Sequence, residues 1–563
     1  MNRESEEYKK EKKRIIAVLE KITGDGDAAS WIVERDVGKA VELKKRFPNK
    51  IIALVSFDVD KIKDFVFATS KPIEIQGASV MVSELTDEEG IKELLRAKGC
   101  GESGVLFAGG GTGLVVVPAD KAEDVADAIR EKFSQQTRTG SCTVVWRAFA
   151  PHELISGPEM PSSFDSSKLP KGIATIRGGS RGKVAFGEIF RLLSDQLREA
   201  KDEGVNLPFP PLPGIFHRCE SCGMEAATEL DRIARDEPPE RICETCLKKR
   251  ERGRKRRKEL KGSPLQTAQS INDITGTEER SYFAVLHADA NNMGRALLEM
   301  ETMADYALFS RTVRETMDRV TEDIIRKYNL KGRYQAPVIG GDDILLILPA
   351  GKVARVVPEL MEGVKARFRE AAEHIGGKVG GVLSGIGMSV GFVIVPAHFA
   401  IRFATDYAEA LLRSAKEERA ERKDEDYIDY LVVKDASPLN LSISALRKFH
   451  FRRGTLKLTR KPVRLSEFKE MLEDIARLKK AGVAKSQLHQ VEALLMTESP
   501  KVARLNICYQ WLQIDSWKEF CKLRGCGTDV LRCMEDSKVL VGSGPDYETG
   551  FIDLLELYEF GEG

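Results

Sequence analysis

The chain is 563 residues long and 42% hydrophobic, enough to bury several cores and, by length alone, to form roughly four domains. Its 88 Lys and Arg stand against 87 Asp and Glu, a formal charge of +1, so no whole-protein field draws it to nucleic acid and any basic surface must be local. The opening MNRESEEYKKEKK lacks the apolar core of a secretory signal and no apolar run approaches membrane length; a cytoplasmic chain with no membrane partner is expected, its ten cysteines thiols or metal ligands rather than disulfides.

Residues 1–50 are charged and helical in pattern, with a break at Asp25-Gly26-Asp27. IIALVSFD (51–58) is an apolar, β-branched run that ends in Asp58 and predicts a strand. A helical pattern from Ser79 to Leu95 follows, then VLFAGGGTGLVVVPADK from Val105 to Lys121, which reads as strand, glycine turn, strand. A helix is predicted from Lys121 to Phe133, and LREAK closes this unit at Ala200-Lys201.

The order then repeats. YFAVLHAD (282–289) ends in Asp289, a helical pattern covers Arg311 to Lys327, and APVIGGDDILLILPAGK runs from Ala336 to Lys352. A helix from Lys352 to Glu373 and LLRSAK, with Ala415-Lys416, complete the second copy. Four anchors are displaced by the same 231 residues: 58 to 289, 109 to 340, 118 to 349 and 121 to 352. One offset without gaps across that span marks a duplicated domain.

The boundaries read as an N-terminal helical segment over 1–50, a first copy over 51–204, an insert over 205–280, a second copy over 281–439 and a helical C-terminal domain over 440–563. The last is drawn from amphipathic stretches such as Ser466 to Gly482. Each copy predicts an antiparallel sheet with helices on one face, an α+β layer.

Chemistry concentrates at the second hairpin. Gly340-Gly341-Asp342-Asp343 puts two acids at a tight turn beside the strand that ends in Asp289. Joining nucleotides needs a more acidic 3′-hydroxyl and a neutralised pyrophosphate, tasks for two Mg²⁺ or Mn²⁺ ions about 4 Å apart on oxygen ligands. Asp289, Asp342 and Asp343 are the candidate ligands, and Gly340 and Gly341 let a nucleotide come close. Asn291, Asn292 and Gly294, at the start of a helix, suit a triphosphate. Met293 reads as a core residue, and Lys416 as either a phosphate contact or a solvated lysine. In the first copy Gly109-Gly110-Gly111-Thr112 replaces the acidic turn, which leaves Asp58 and Asp60 without partners for two metals. That copy is expected to be inactive, with Gly109 and Gly110 forming a wall of a shared nucleotide pocket.

In the insert, Cys219, Cys222, Cys243 and Cys246 form two CxxC knuckles twenty residues apart, a spacing for structural Zn²⁺ with a redox pair as the lesser alternative. KKRERGRKRRKELK (248–261) either follows a phosphate backbone or is a solvated basic helix; no aromatic residue interleaves it.

The duplication, GGDD in the second copy alone, the four-cysteine insert and the helical C-terminus together resemble the large Palm-containing subunit of type III CRISPR effector complexes. DKIKDFVF (60–67), IQGAS (75–79), HADANNMG (287–294) and SVGFVIVPAHFA (389–400) are similar to that family as well. The resemblance implies two ferredoxin-like Palm domains of the polymerase and nucleotidyl cyclase kind. It implies that Asp289, Asp342 and Asp343 hold Mg²⁺ while one ATP attacks another, releasing pyrophosphate and forming cyclic oligoadenylate. The implied partners are guide RNA, target RNA and the other effector subunits. No histidine is followed by Asp, so the HD nuclease of many family members is not expected. Asn291 stands where an acid is common, which keeps an oxygen ligand but loses a charge. Two other functions remain open: a catalytically silent scaffold of the same complex, and a free-standing cyclase, against which the turn reads GGDDI rather than GGDEF.

Overall fold

The computed structural model describes residues 5–157, 186–203, 216–233, 238–276, 281–422, 425–434, 442–454, 456–543 and 546–560. The expected domain boundaries at 204/205 and 439/440 lie outside them. The first sheet holds β1 (Ile52–Asp60), β2 (Val105–Gly109), β3 (Thr112–Pro118) and β4 (Ser141–Phe149) in the order β2-β3-β1-β4. A small pair, β5 (Glu229–Asp231) and β6 (Glu240–Ile242), belongs to the insert. The second sheet contains β7 (Tyr282–Ala290), β8 (Gln335–Gly340), β9 (Asp343–Pro349), β10 (Met388–Pro396) and β11 (Tyr427–Val432). The C-terminal region adds β12 (Arg452–Arg453), β13 (Leu456–Lys457), β14 (Val463–Arg464), β15 (Val541–Ser543) and β16 (Asp546–Glu548).

The second sheet runs β8-β9-β7-β10 before β11 and β14 extend it, which is the order of the first sheet strand for strand. Register repeats as well: Asp58 pairs with Thr112 as Asp289 pairs with Asp343. The duplication therefore holds in topology and alignment. Two details differ from the sequence expectation. β11 runs parallel to β10, and both faces of each sheet are covered. Ile52 and Leu54 face one core while Ala53, Val55 and Phe57 face another; Ala284 and Leu286 part from Phe283 and Val285 in the same way. Unbroken apolar runs such as IIALVSF mark strands buried on both sides, whereas a one-sided sheet would alternate.

The helix expected from Ser79 to Leu95 is two, Pro72–Thr86 and Glu88–Ala97, because Asp87 ends the first and caps the second by accepting from the Gly90 amide at 2.7 Å. The predicted N-terminal break is Gly24, left-handed at φ +69°, followed by Asp25 capping the helix Gly26–Glu34. The helix before it, Glu6–Thr23, ties the two palms together. Arg14 donates to the Val105 carbonyl at 2.6 Å, and buried Glu11 pairs with Arg311 at 2.8 Å. The C-terminal region is helical around stacked Trp511 and Trp517, 4.5 Å apart, but it also carries a four-stranded sheet in the order β12-β13-β16-β15.

Candidate active site

β7 carries Asp289 to the end of the sheet, and the register sets it opposite Asp343 on β9. Gly340 pairs with Asp343, which leaves Gly341 and Asp342 as a two-residue tip. Gly341 stands at φ +62°, a conformation that a side chain disfavours. The Ala290 amide donates to the Asp342 carbonyl at 3.0 Å and fastens the tip to β7. Three carboxylates thus stand at one end of the sheet.

Among the described residues the two tip carboxylates have no cation paired with them other than through His287 at Asp343. Burial and the neighbouring Asp343 carboxylate push Asp342 up to about 6. One Asp289 oxygen is buried with no hydrogen-bond partner, and the other touches the Lys416 ammonium. Burial, with Lys63 and Arg419 nearby, pulls Lys416 down to about 8, against the attraction of that carboxylate. The three carboxylates do not converge as the cysteines do, since among the described residues only Cys219, Cys222, Cys243 and Cys246 bring ligand atoms within 4.8 Å. Oxygen donors and the orphaned Asp289 oxygen suit a hard divalent cation, which would have to draw the acids together.

Several side chains do other work than the sequence suggested. Asn291 is buried; its carboxamide nitrogen donates to Asp426 at 2.8 Å and its oxygen accepts from Ser389 at 2.8 Å. Both ends are committed to a network behind the carboxylates, with Arg419 3.3 Å from Asp426. Asn292, left-handed at φ +65°, precedes a helix of only six residues, Met293–Leu298, so the expected anion site at a helix start has little dipole behind it. A side chain on Gly294 would meet open space. Gly109 lies against the Arg314 guanidinium and Gly110 against Gly340, so these glycines pack palm on palm. The sequence reading missed His287, whose Nε2 lies 3.2 Å from Asp343; its place two residues before Asp289 on one strand face was the available signal.

Beside the tip lies a cavity of about 390 Å³ walled by both palms, with Phe57, Asp58, Thr112 and Lys201 on one side and Tyr306, Phe309, Gly341 and Asp342 on the other. Met293 lines it too and packs on the core behind. The mix of aromatic faces and a few polar groups, at this volume, suits a nucleoside. A larger hollow of about 490 Å³ behind the hairpins carries Glu84, Glu259, Asp318 and Glu322 with Arg256, a lining that repels a triphosphate.

Residues 282–425 match the family model of the Cas10/Cmr2 second palm domain. Over these residues the chain is similar to Cas10. Among solved structures, a Csm1–Csm4 cassette in complex with cA4 is similar at 14% identity over 95% of this chain and 73% of that one, with a TM-score of 0.54. The same cassette with AMPPNP gives 13%, 95%, 72% and 0.53. Csm1 in T. onnurineus gives 14%, 91%, 70% and 0.51. At such identity these likenesses speak for the fold. No curated protein matches the sequence.

In the first palm a lysine meets the carboxylates as Lys416 meets Asp289 in the second. Lys201 lies 2.7 Å from Asp58 and 3.4 Å from Asp60, and Asp60 also accepts from Ser141 and Thr143 at 2.8 Å each. Thr112 brings no carboxylate to the pair. Lys201 corresponds to Lys416, and the Ala-Lys shared by LREAK and LLRSAK was its trace in the sequence.

The insert brings the Sγ atoms of Cys219, Cys222, Cys243 and Cys246 within 4.8 Å of one another. Amides of Cys222 and Cys246 point to Cys219 and Cys243 sulfur at 3.5 and 3.4 Å. Four converging sulfurs so supported are compatible with a structural zinc. The basic run becomes the helix Glu244–Glu259, which crosses Pro72–Thr86 so closely that a β-carbon on Gly253 would lie 2.1 Å from the Ile73 carbonyl oxygen. Its cations are largely spent inside the fold: Arg250 pairs with Glu74 at 2.7 Å, Arg252 with Glu84 at 3.2 Å, Arg254 with Asp231 at 2.7 Å, and Lys249 donates to the Phe65 carbonyl at 2.6 Å. A structural role accounts for most of this run.

Proposed function

We propose that this chain is the large subunit of a type III CRISPR RNA-guided antiviral complex and joins ATP into cyclic oligoadenylate at its second palm when the complex binds target RNA. The observation that carries this reading is the cross-strand pair of Asp289 and Asp343 with Asp342 at the adjoining tip, beside a cavity shared by both palms. Asp289, Asp342 and Asp343 would hold Mg²⁺ or Mn²⁺, which supplies charge for the triphosphate and acidity for the attacking hydroxyl. Phe107 and Phe190, partly exposed on the cavity wall, would offer apolar faces to a base, with buried Phe57, Tyr306 and Phe309 behind them. Lys416, in contact with Asp289, would move to a triphosphate, and His287 would orient Asp343. The apposed palms favour two nucleotides held face to face, so that the 3′-hydroxyl of one attacks the α-phosphate of the other and pyrophosphate leaves.

The four-cysteine cage, read as zinc, would fix the insert against the first palm, where Thr245 donates to the Thr137 carbonyl at 3.2 Å. One zinc per chain by elemental analysis, abolished by Cys219→Ser, is expected; a metal-free chain with intact fold refutes it.

The test of the main reading is incubation of the chain, alone and assembled with target RNA, with ATP and Mg²⁺ or Mn²⁺, products being read by mass spectrometry. Adenylate products that vanish in Asp342→Ala/Asp343→Ala are expected. No product from target-bound complex would return the chain to the scaffold role.

A further inference from the structure

A second basic segment, outside the run that the sequence singled out, has a different fate in the fold. From Ile443 to Ser466 the chain carries eight Lys and Arg and no Asp or Glu, and two phenylalanines, Phe449 and Phe451, stand among them. The fold sorts these cations. Arg447 turns inward to Asp429 and to Ser414 at 2.9 Å. Arg460 is held by Glu467 and Glu548 at 3.1 and 3.0 Å, and Lys461 is buried 2.8 Å from Glu556. Lys448, Arg452 and Lys457 instead face solvent, and none of them forms an ion pair among the described residues. Glu548, beside Lys457 in the β13–β16 pair, is the nearest acid in register, and its carboxylate is engaged by Arg460.

Between these cations Phe449 projects at 68% exposure from the end of the helix Ile443–His450, with the Lys448 ammonium 6.0 Å from its ring. Phe451, two residues on, lies under Lys461 at 5.4 Å and is half-buried against the core. β12 is an edge strand, so Arg452 stands on an open rim. The Arg453 Nε is buried with no partner. Free cations set around an exposed ring are what a stacked base with its flanking phosphates requires, and a duplex would offer the ring no base face.

We propose that this rim, formed by Lys448, Phe449, Arg452 and Lys457, binds single-stranded nucleic acid, with a base on Phe449 and phosphates on the three cations. The proposal is independent of ATP chemistry, because its readout is binding.

The experiment uses the full chain and labelled single-stranded RNA and DNA of one mixed sequence, about 15 nucleotides long, the scale of one binding module. Anisotropy is followed from about 50 to 200 mM salt. Lys448→Glu/Arg452→Glu/Lys457→Glu is expected to flatten the slope of log affinity against log salt by about 2, since each phosphate contact on a single strand contributes about 0.7. Phe449→Ala is expected to weaken binding roughly 5- to 150-fold and to leave the slope unchanged. All four side chains are exposed, so unfolding midpoints should not move. Lys255→Glu/Lys258→Glu/Lys261→Glu, on the other basic run, should leave binding intact. An unchanged slope in the first variant, or loss of binding in this control instead, overturns the proposal. Binding of either strand through these residues supports it, and the tighter of the two names the source.

Discussion

The Cα of Gly110 lies 2.4 Å from where a β-carbon on Gly340 would fall, and a β-carbon on Gly110 would come within 2.7 Å of the Gly340 carbonyl carbon. The two hairpin turns, one acidic and one stripped of acids, therefore touch backbone to backbone. That explains why the first copy keeps its glycines after losing its carboxylates. Gly340→Ala should cost about 1–3 kcal/mol by overpacking. Gly110→Ala adds the strain of a left-handed residue at φ +63°, about 1–2 kcal/mol more. Gly294→Ala, facing open space, should change stability by about 0.5 kcal/mol or less. Urea unfolding of the three variants separates the cases; equal stability of Gly340→Ala and wild type would remove the contact.

Asp342 gives a pH dependence whose sign is fixed. Its carboxyl is raised from 3.8 to about 6 in the folded chain, so the folded state holds the proton more tightly than the unfolded state. Between those values the unfolded chain has lost the proton and the folded chain has kept it, so this group's contribution to stability falls as pH rises. In chelator the metal-free chain should lose stability from pH 4 toward pH 6, and Asp342→Asn should remove that part of the slope. With Mg²⁺ the proton competes for the same oxygens, so the Mg²⁺ concentration for half-maximal stabilisation should climb about tenfold per unit below pH 6. A slope that Asp342→Asn leaves untouched would assign it elsewhere.

Arg250 is fully buried against a fully buried Glu74, so Arg250→Ala strands a carboxylate and should cost about 3–5 kcal/mol. Arg250→Met/Glu74→Leu, which removes both charges, should recover most of that. Lys258→Ala, on the exposed side of the same helix, should be neutral. Thermal unfolding checks all three, and a neutral Arg250→Ala would restore the surface reading of the run.

How much of this was legible follows from where each signal lives. A constant offset of 231 residues survives because strand register fixes spacing residue by residue, so Asp58 with Thr112 and Asp289 with Asp343 are already aligned in the sequence. The CxxC pairs are legible for the same reason: ligand spacing is local. Lys248–Lys261 was not, because the acids that absorb it come from Glu74, Glu84 and Asp231, far away or across the insert. The exposed rim around Phe449 was hidden for the converse reason. Which of Arg447, Lys448, Arg452 and Lys461 turns inward depends on Asp429 and Glu556, and no local pattern reports that.

Asn291 separates ligand from scaffold. As an oxygen ligand replacing an acid, it should be improved by Asn291→Asp, with tighter Mg²⁺ binding. As it stands in the fold, its amide donates to buried Asp426 and its oxygen accepts from Ser389. Asn291→Asp would put a second carboxylate at hydrogen-bond distance from Asp426 and delete the donor between them. One of the two must then take a proton or repel the other, at a cost of about 1–3 kcal/mol. The loss should be larger at pH 8 than at pH 5, where the pair can share a proton. Asp426→Asn alone also breaks the charge balance with Arg419, 3.3 Å away. The exchange Asn291→Asp/Asp426→Asn restores one donor facing one acceptor, so the double variant should be more stable than the sum of its parts by about 1 kcal/mol or more. Urea unfolding of the four proteins gives that coupling energy. A coupling near zero, with Mg²⁺ bound more tightly by Asn291→Asp, would move Asn291 from the network to the metal.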